Sequence, residues 1–137
     1  MKKILVFSAI MIGLTLQTAS AHAQTFWMEG VWNGSATQSN PNETWTVRLA
    51  VARHGDLDSY RVTYPTLGCS GYWTYVRADG EVTQFVEHID HGADKCVDRV
   101  NITVGPSARG EFNRPIRMRY HAQWSSGFAG GELALEQ

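Results

Sequence analysis

Glu43-Thr44-Trp45-Thr46-Val47-Arg48-Leu49-Ala50-Val51-Ala52-Arg53 is the stretch that decides how this chain folds. Trp45, Val47, Leu49 and Val51 recur at every second position, while Thr44, Thr46 and Arg48 occupy the alternate ones. A two-residue period is that of a β-strand with one oily and one wet face. On the N-terminal side, Ser39-Asn40-Pro41-Asn42 is a run of turn formers, preceded by a strand from about Glu29 to Gln38 that carries Val31 and Trp32 among the small residues Gly30, Gly34 and Ser35. On the C-terminal side, His54-Gly55-Asp56 makes a tight connection.

The same alternation continues to the end of the chain. Tyr60, Val62 and Tyr64 alternate with Arg61 and Thr63 until Pro65, which cannot donate to a sheet ladder. Gly71 to Arg77 is aromatic-rich, and Asp79-Gly80 signals a hairpin into a strand from Glu81 to Ile89. Val97 to Val104 follows, with a turn expected over Gly105 to Gly110. Ile116 to Trp124 places Ile116, Met118 and Tyr120 on one face, and Ser125-Ser126-Gly127 turns the chain into Phe128 to Leu135.

Turn signals return at intervals of about 8 to 14 residues, and no mature stretch shows helical periodicity. Parallel pairs need crossovers of a dozen or more residues. The short connections therefore imply an all-β, eight-stranded antiparallel meander, and an up-and-down β-barrel is favoured over a β-sandwich because closure removes exposed edges.

The N-terminus reads differently. Met1-Lys2-Lys3, an apolar run from Ile4 to Leu16 and the exit Ala19-Ser20-Ala21-His22-Ala23 have the order of a secretory signal peptide cleaved after Ala23. The expected organisation is a leader over residues 1–23 and one domain over 24–137, with no membrane span after cleavage and a periplasmic or secreted destination. Without Lys2 and Lys3, ten basic side chains face thirteen acidic ones, a formal charge of −3. That sign argues against nucleic acid as a partner.

Cys69 and Cys96 are the chain's two cysteines. In an exported chain their simplest state is a disulfide, with two free thiols or a metal pair as alternatives. Two cysteines fall short of a four-ligand structural zinc site.

Tyr64-Pro65-Thr66-Leu67-Gly68-Cys69-Ser70-Gly71, then Phe85-Val86-Glu87-His88-Ile89, Gly92, Cys96 and a closing Gly130-Gly131-Glu132-Leu133, resemble a small extracytoplasmic bacterial domain. That domain occurs alone in secreted proteins and at the outer end of some membrane-bound serine/threonine kinases. The resemblance implies an extracytoplasmic location and a Cys69 to Cys96 bridge. Gly30-Val31-Trp32 is in addition similar to the G-x-W of lipocalin-like and avidin-like barrels, in which a tryptophan closes one end.

Three groups of residues carry the functional expectations. Glu87 shares a strand face with Thr83, Phe85 and Ile89. An inward carboxylate needs a partner, for which Arg61, Arg99, Arg119 and Tyr64 are candidates. A structural ion pair is the first reading; a solvated surface position and a ligand-orienting or acid/base role are the alternatives. Trp73 and Tyr75 share a face and are the expected exposed aromatics of a binding surface, beside Tyr64 and Glu87. His88, Asp90, His91 and Asp94 fall within seven residues and offer nitrogen and oxygen ligands for a metal such as zinc, or else form a polar hairpin loop.

Ser70 does not lie in a G-x-S-x-G elbow, and the sequence calls for no catalytic residue and no cofactor. The expected function is a non-enzymatic binding module for a small ligand or a protein at the cell envelope. An envelope hydrolase acting through Glu87 or the His88 to Asp94 cluster is the alternative, and a purely structural domain a third possibility.

Overall fold

The computed structural model describes residues 25–55 and 57–137; the leader read in residues 1–23 lies outside them. Eight strands, β1 (Gly30–Ser39), β2 (Asn42–His54), β3 (Leu57–Tyr64), β4 (Cys69–Asp79), β5 (Val82–His91), β6 (Val100–Arg109), β7 (Pro115–Trp124) and β8 (Gly127–Leu135), follow one another around a closed barrel. Every neighbouring pair is antiparallel, and β8 returns to β1. The expected meander is therefore a barrel and not a sandwich. Among the described residues no helix is long and apolar enough to cross a membrane.

Alternation dictates the interior. Trp45, Val47, Leu49 and Val51 of β2 point inward, as do Tyr60, Val62 and Tyr64 of β3, Val100, Ile102 and Val104 of β6, and Met118, Tyr120 and Ala122 of β7. The intervening side chains are solvated, and several pair across strands on the outer wall, such as Arg117 with Glu132 at 2.9 Å.

Closure depends on glycine where β1 meets β8. Gly34 lies opposite Leu133 and Ala36 opposite Gly131. A Cβ on Gly34 would overlap the carbonyl oxygen of Glu132, and one on Gly131 would overlap that of Ser35. Only residues without side chains let these two strands approach closely enough to complete the ring.

The ends of the barrel differ. At one end a single 3₁₀ turn, Phe26–Met28, folds beneath the core and buries Trp27 and Met28. Trp32 is fully buried beside it, donates its indole N–H to the Met28 carbonyl at 2.8 Å, and meets Trp27 edge to face with centroids 5.9 Å apart. At the other end the β1–β2, β3–β4, β5–β6 and β7–β8 connections surround an opening.

The boundaries of the sixth strand depart most from the sequence reading. The sixth strand starts at Val100, because Val97 belongs to the loop carrying Cys96. It also runs on to Arg109 through Gly105, Pro106 and Ser107, where a turn was expected. A register shift between Pro106 and Ala108 accommodates the missing proline N–H, as bulges do.

Candidate functional site

Tyr64 ends β3, Trp73 lies in β4, Glu87 in β5 and Tyr120 in β7, and all four turn inward near the open end. Trp73 and Glu87 are direct partners across the β4–β5 ladder, which brings indole and carboxylate together without any long-range fit. The Trp73 Nε1–H donates to Glu87 Oε1 at 2.9 Å, and the Tyr64 hydroxyl donates a short hydrogen bond to the same oxygen. Tyr64 and Tyr120 hydroxyl oxygens are 2.9 Å apart. A tyrosine has one proton to give; with the carboxylate ionised, Tyr64 spends its proton on Glu87, so Tyr120 is the donor in the tyrosine pair. The result is a relay from Tyr120 to Tyr64 to Glu87, joined at its end by Trp73.

Glu87 is 3 % exposed, and no arginine reaches it among the described residues. The expected ion pair is thus replaced by two neutral donors. Arg61 alternates with the inward Tyr60, Val62 and Tyr64, faces outward, and holds Asp90 at 2.6 Å. Arg119 is likewise an outward position between the buried Met118 and Tyr120. Burial pushes the Glu87 pKa up, against the two hydrogen bonds, and the nearby negative charge of Asp98 adds to the rise. Burial also raises Tyr64 and Tyr120 well above the ordinary phenol range, so both remain neutral donors at any physiological pH.

Above this floor lies a cavity of about 160 Å³ that opens to the barrel mouth. Its walls are apolar and aromatic, chiefly Trp45, Trp124, Leu67, Val97, Val100 and Ala122, with Glu43 and Lys95 as charged lining residues. Both hydrogen bonds to the Glu87 carboxylate converge on Oε1. Oε2 accepts none among the described residues, yet it is not among the sealed polar atoms without a partner. Since Glu87 lines the cavity, Oε2 is the face the carboxylate presents to it.

Local structure explains why the mouth has this shape. After Tyr64 the chain turns through Pro65 to Gly68, with the N–H groups of Leu67 and Gly68 both donating to the Tyr64 carbonyl at 3.0 Å. Gly68 takes the left-handed φ of 75° that the turn requires. Cys69 then bonds to Cys96, which pulls the β5–β6 loop over the opening and sets Lys95, Cys96 and Val97 as one wall. Asp98 fastens the same loop by accepting the Ile89 N–H at 2.9 Å. The chain matches no protein-family model and no curated protein. The disulfide is consistent with an oxidising, extracytoplasmic location.

The remaining sequence candidates divide clearly. Trp73 is 3 % exposed and Tyr75 half-buried, edge-on to Phe85, so the expected exposed pair is an interior one. Tyr72 is the aromatic that looks out, stacked on His88 with centroids 5.1 Å apart. The four suggested metal ligands are not gathered. His88 leans on Tyr72, Asp90 is gripped by Arg61 and lies 2.9 Å from His91 Nδ1, and Asp94 stands in the loop. Among the described residues no three His, Cys, Asp or Glu side chains assemble as a metal site. Arg61 first, then His91, hold the Asp90 carboxyl down at about 2.

Tyr120, Trp45, Trp124 and Lys95 are site residues that the sequence reading does not mark. For Tyr120 the signal was present: its period-two phase with Met118 carries it inward to the level of Glu87.

The raised Glu87 pKa gives a stability prediction with a definite sign. The native state keeps this proton to a higher pH than the unfolded chain does, so its contribution is fully present below the ordinary value of 4.5 and is lost as pH climbs through the folded value. Glu87→Gln retains an acceptor for Tyr64 and Trp73 but cannot ionise. In urea denaturation from pH 4 to 8, the variant's stability relative to wild type should increase with pH; a flat difference would show that Glu87 has its ordinary pKa.

Proposed function

We propose that this protein is an exported binding module whose barrel mouth takes a small ligand, or a single side chain presented by an envelope protein, onto Glu87. The observation that carries this reading is a buried carboxylate that lines an apolar-walled cavity while Tyr64 and Trp73 both bond the same oxygen, Oε1. A fixed polar group at the base of an oily pocket is how binding sites combine affinity with orientation. Size limits the occupant. Drug-sized pockets run to roughly 300 Å³ and above, whereas a cavity near 150 Å³ holds a group about as large as benzene.

Periplasmic or secreted residence is supported by the signal-like leader, by the disulfide, and by the resemblance to an extracytoplasmic domain. The serine/threonine kinases that carry such a domain at their outer end make sensing of a ligand one use to which such a mouth is suited.

The test is a two-dimensional amide and indole NMR titration with small organic fragments. Occupation should shift the indole signals of Trp45, Trp73 and Trp124 while leaving those of Trp27 and Trp32, at the sealed end, unmoved. Ala122→Leu adds carbon to the cavity wall and should weaken such binding about tenfold or more with the fold preserved. Shifts confined to the outer wall, or none across a broad fragment set, would dismiss the mouth as a site.

A further inference from the structure

We infer that the group received by the mouth is a primary ammonium on a short alkyl stem, seated on Glu87 Oε2 with the stem between the aromatic walls. This rests on the reading of the mouth as a binding site and names its ligand class. Among the described residues no cation meets the buried carboxylate, and buried charges are normally paired. The basic side chain of the lining, Lys95, lies over Gly68 at the rim, where a Cβ on that glycine would stand 3.3 Å from its Nζ. With Glu43 and Glu87 also in the lining, the mouth has a formal charge of −1, the sign that attracts a cation.

The geometry distinguishes among cations. A guanidinium fork asks for two free carboxylate oxygens, but Oε1 already receives two donors. One open oxygen suits the compact, single-point donor of an ammonium. Trp45 and Trp124 supply aromatic surface on which a cation and its alkyl stem are both favoured. Four methylenes and a nitrogen are within the capacity of about 160 Å³. Such a group exists on free alkylamines and on exposed lysine side chains.

Binding should follow the ionisation of Glu87. Tyr64 from β3 and Tyr120 from β7 face it as neutral hydroxyls, Trp73 from β4 as a neutral donor, Asp98 from the β5–β6 loop as a charge, and Lys95 and Glu43 line the cavity above it. Affinity for the cation should therefore rise with pH through the Glu87 titration and then level off.

The experiment compares n-butylammonium, 1-butanol and butanoate, three probes of matched stem, by NMR titration of the full mature protein. An acetylated and amidated Gly-Lys-Gly peptide separates a free amine from a lysine on a chain. The expected result is preference for n-butylammonium over 1-butanol by about tenfold or more, as for a hydrogen bond to a charged group, with butanoate weakest. Glu87→Gln should abolish that preference and leave 1-butanol within about twofold. Should the variant misfold, the wild-type affinity from pH 4 to 8 decides, since only the ammonium should gain with pH. Stronger binding of 1-butanol, or pH-independent binding of the cation, overturns the ammonium inference while the mouth stands as a site. No binding by any probe overturns both. Tight binding of the peptide with weak n-butylammonium binding assigns the same chemistry to a lysine on a partner.

Discussion

Trp32→Ala should destabilise the barrel by about 3 to 5 kcal/mol, the range for deleting a fully buried large aromatic. Against a net stability of roughly 5 to 15 kcal/mol for a domain of this size, that places the variant near unfolding. Three losses coincide. The core loses the indole at the sealed end, the Met28 carbonyl loses its donor, and Trp27 loses its edge-to-face partner. The 3₁₀ turn Phe26–Met28 then has little to hold it. Urea titration should show a lower midpoint at an unchanged slope. Trp32→Phe keeps a ring and drops the N–H, so it should cost less than the alanine. A loss below about 1 kcal/mol for Trp32→Ala would mean that the sealed end is not organised around this side chain.

Removing the disulfide by Cys69→Ser with Cys96→Ser should cost about 3.5 kcal/mol by the chain-entropy model, given a separation of 27 residues. The second effect is local. Cys96 and its neighbours Lys95 and Val97 wall the cavity, and without the bond the loop over the mouth is fastened chiefly through Asp98. Thermal melts with and without reductant should reproduce the loss, and hydrogen exchange should accelerate across residues 92–99 before it does in β2 or β7. Uniform acceleration over the whole barrel would show that the bond stabilises only globally.

How legible was this molecule in its residues? The strands were, because the Trp45 to Val51 alternation and its counterparts in β3, β6 and β7 report a face directly, and short connections leave a meander as the only simple path. Barrel against sandwich was harder, since it turns on whether β1 can lie against β8. The glycines Gly34 and Gly131 decide that, yet their meaning depends on a register that no local pattern prints. Glu87 was readable as inward from its phase with Phe85. Of its candidate partners Tyr64 was the right one; the arginines were not, and the phase of Arg61 against Tyr60 and Tyr64, and of Arg119 against Met118 and Tyr120, already put both of those guanidiniums outside.

The sequence misplaces Trp73 and Tyr75 at the surface for a related reason. In Tyr72-Trp73-Thr74-Tyr75 both phases are aromatic, so hydrophobicity does not choose between them. The choice is made by the ladder that sets Trp73 against Glu87 and by shifts of register after Ser70 and Tyr75. The cavity itself was invisible, because it is the space left by residues from β1, β2, β3, β5, β6 and β7 and from the β3–β4 and β5–β6 loops that meet only after the ring has formed.

Both boundaries of the barrel's course lie at the sealed end: β1 departs from it at Gly30, and β8 arrives there at Leu135, where the Glu136 N–H bonds the Val31 carbonyl at 2.7 Å. A tag, support or neighbouring domain joined on either side would therefore sit behind the plug, with Glu87 and its opening aimed away from the point of attachment. Held at that end of the barrel, the molecule should present its cup to the surrounding fluid, an orientation suited to sampling what passes.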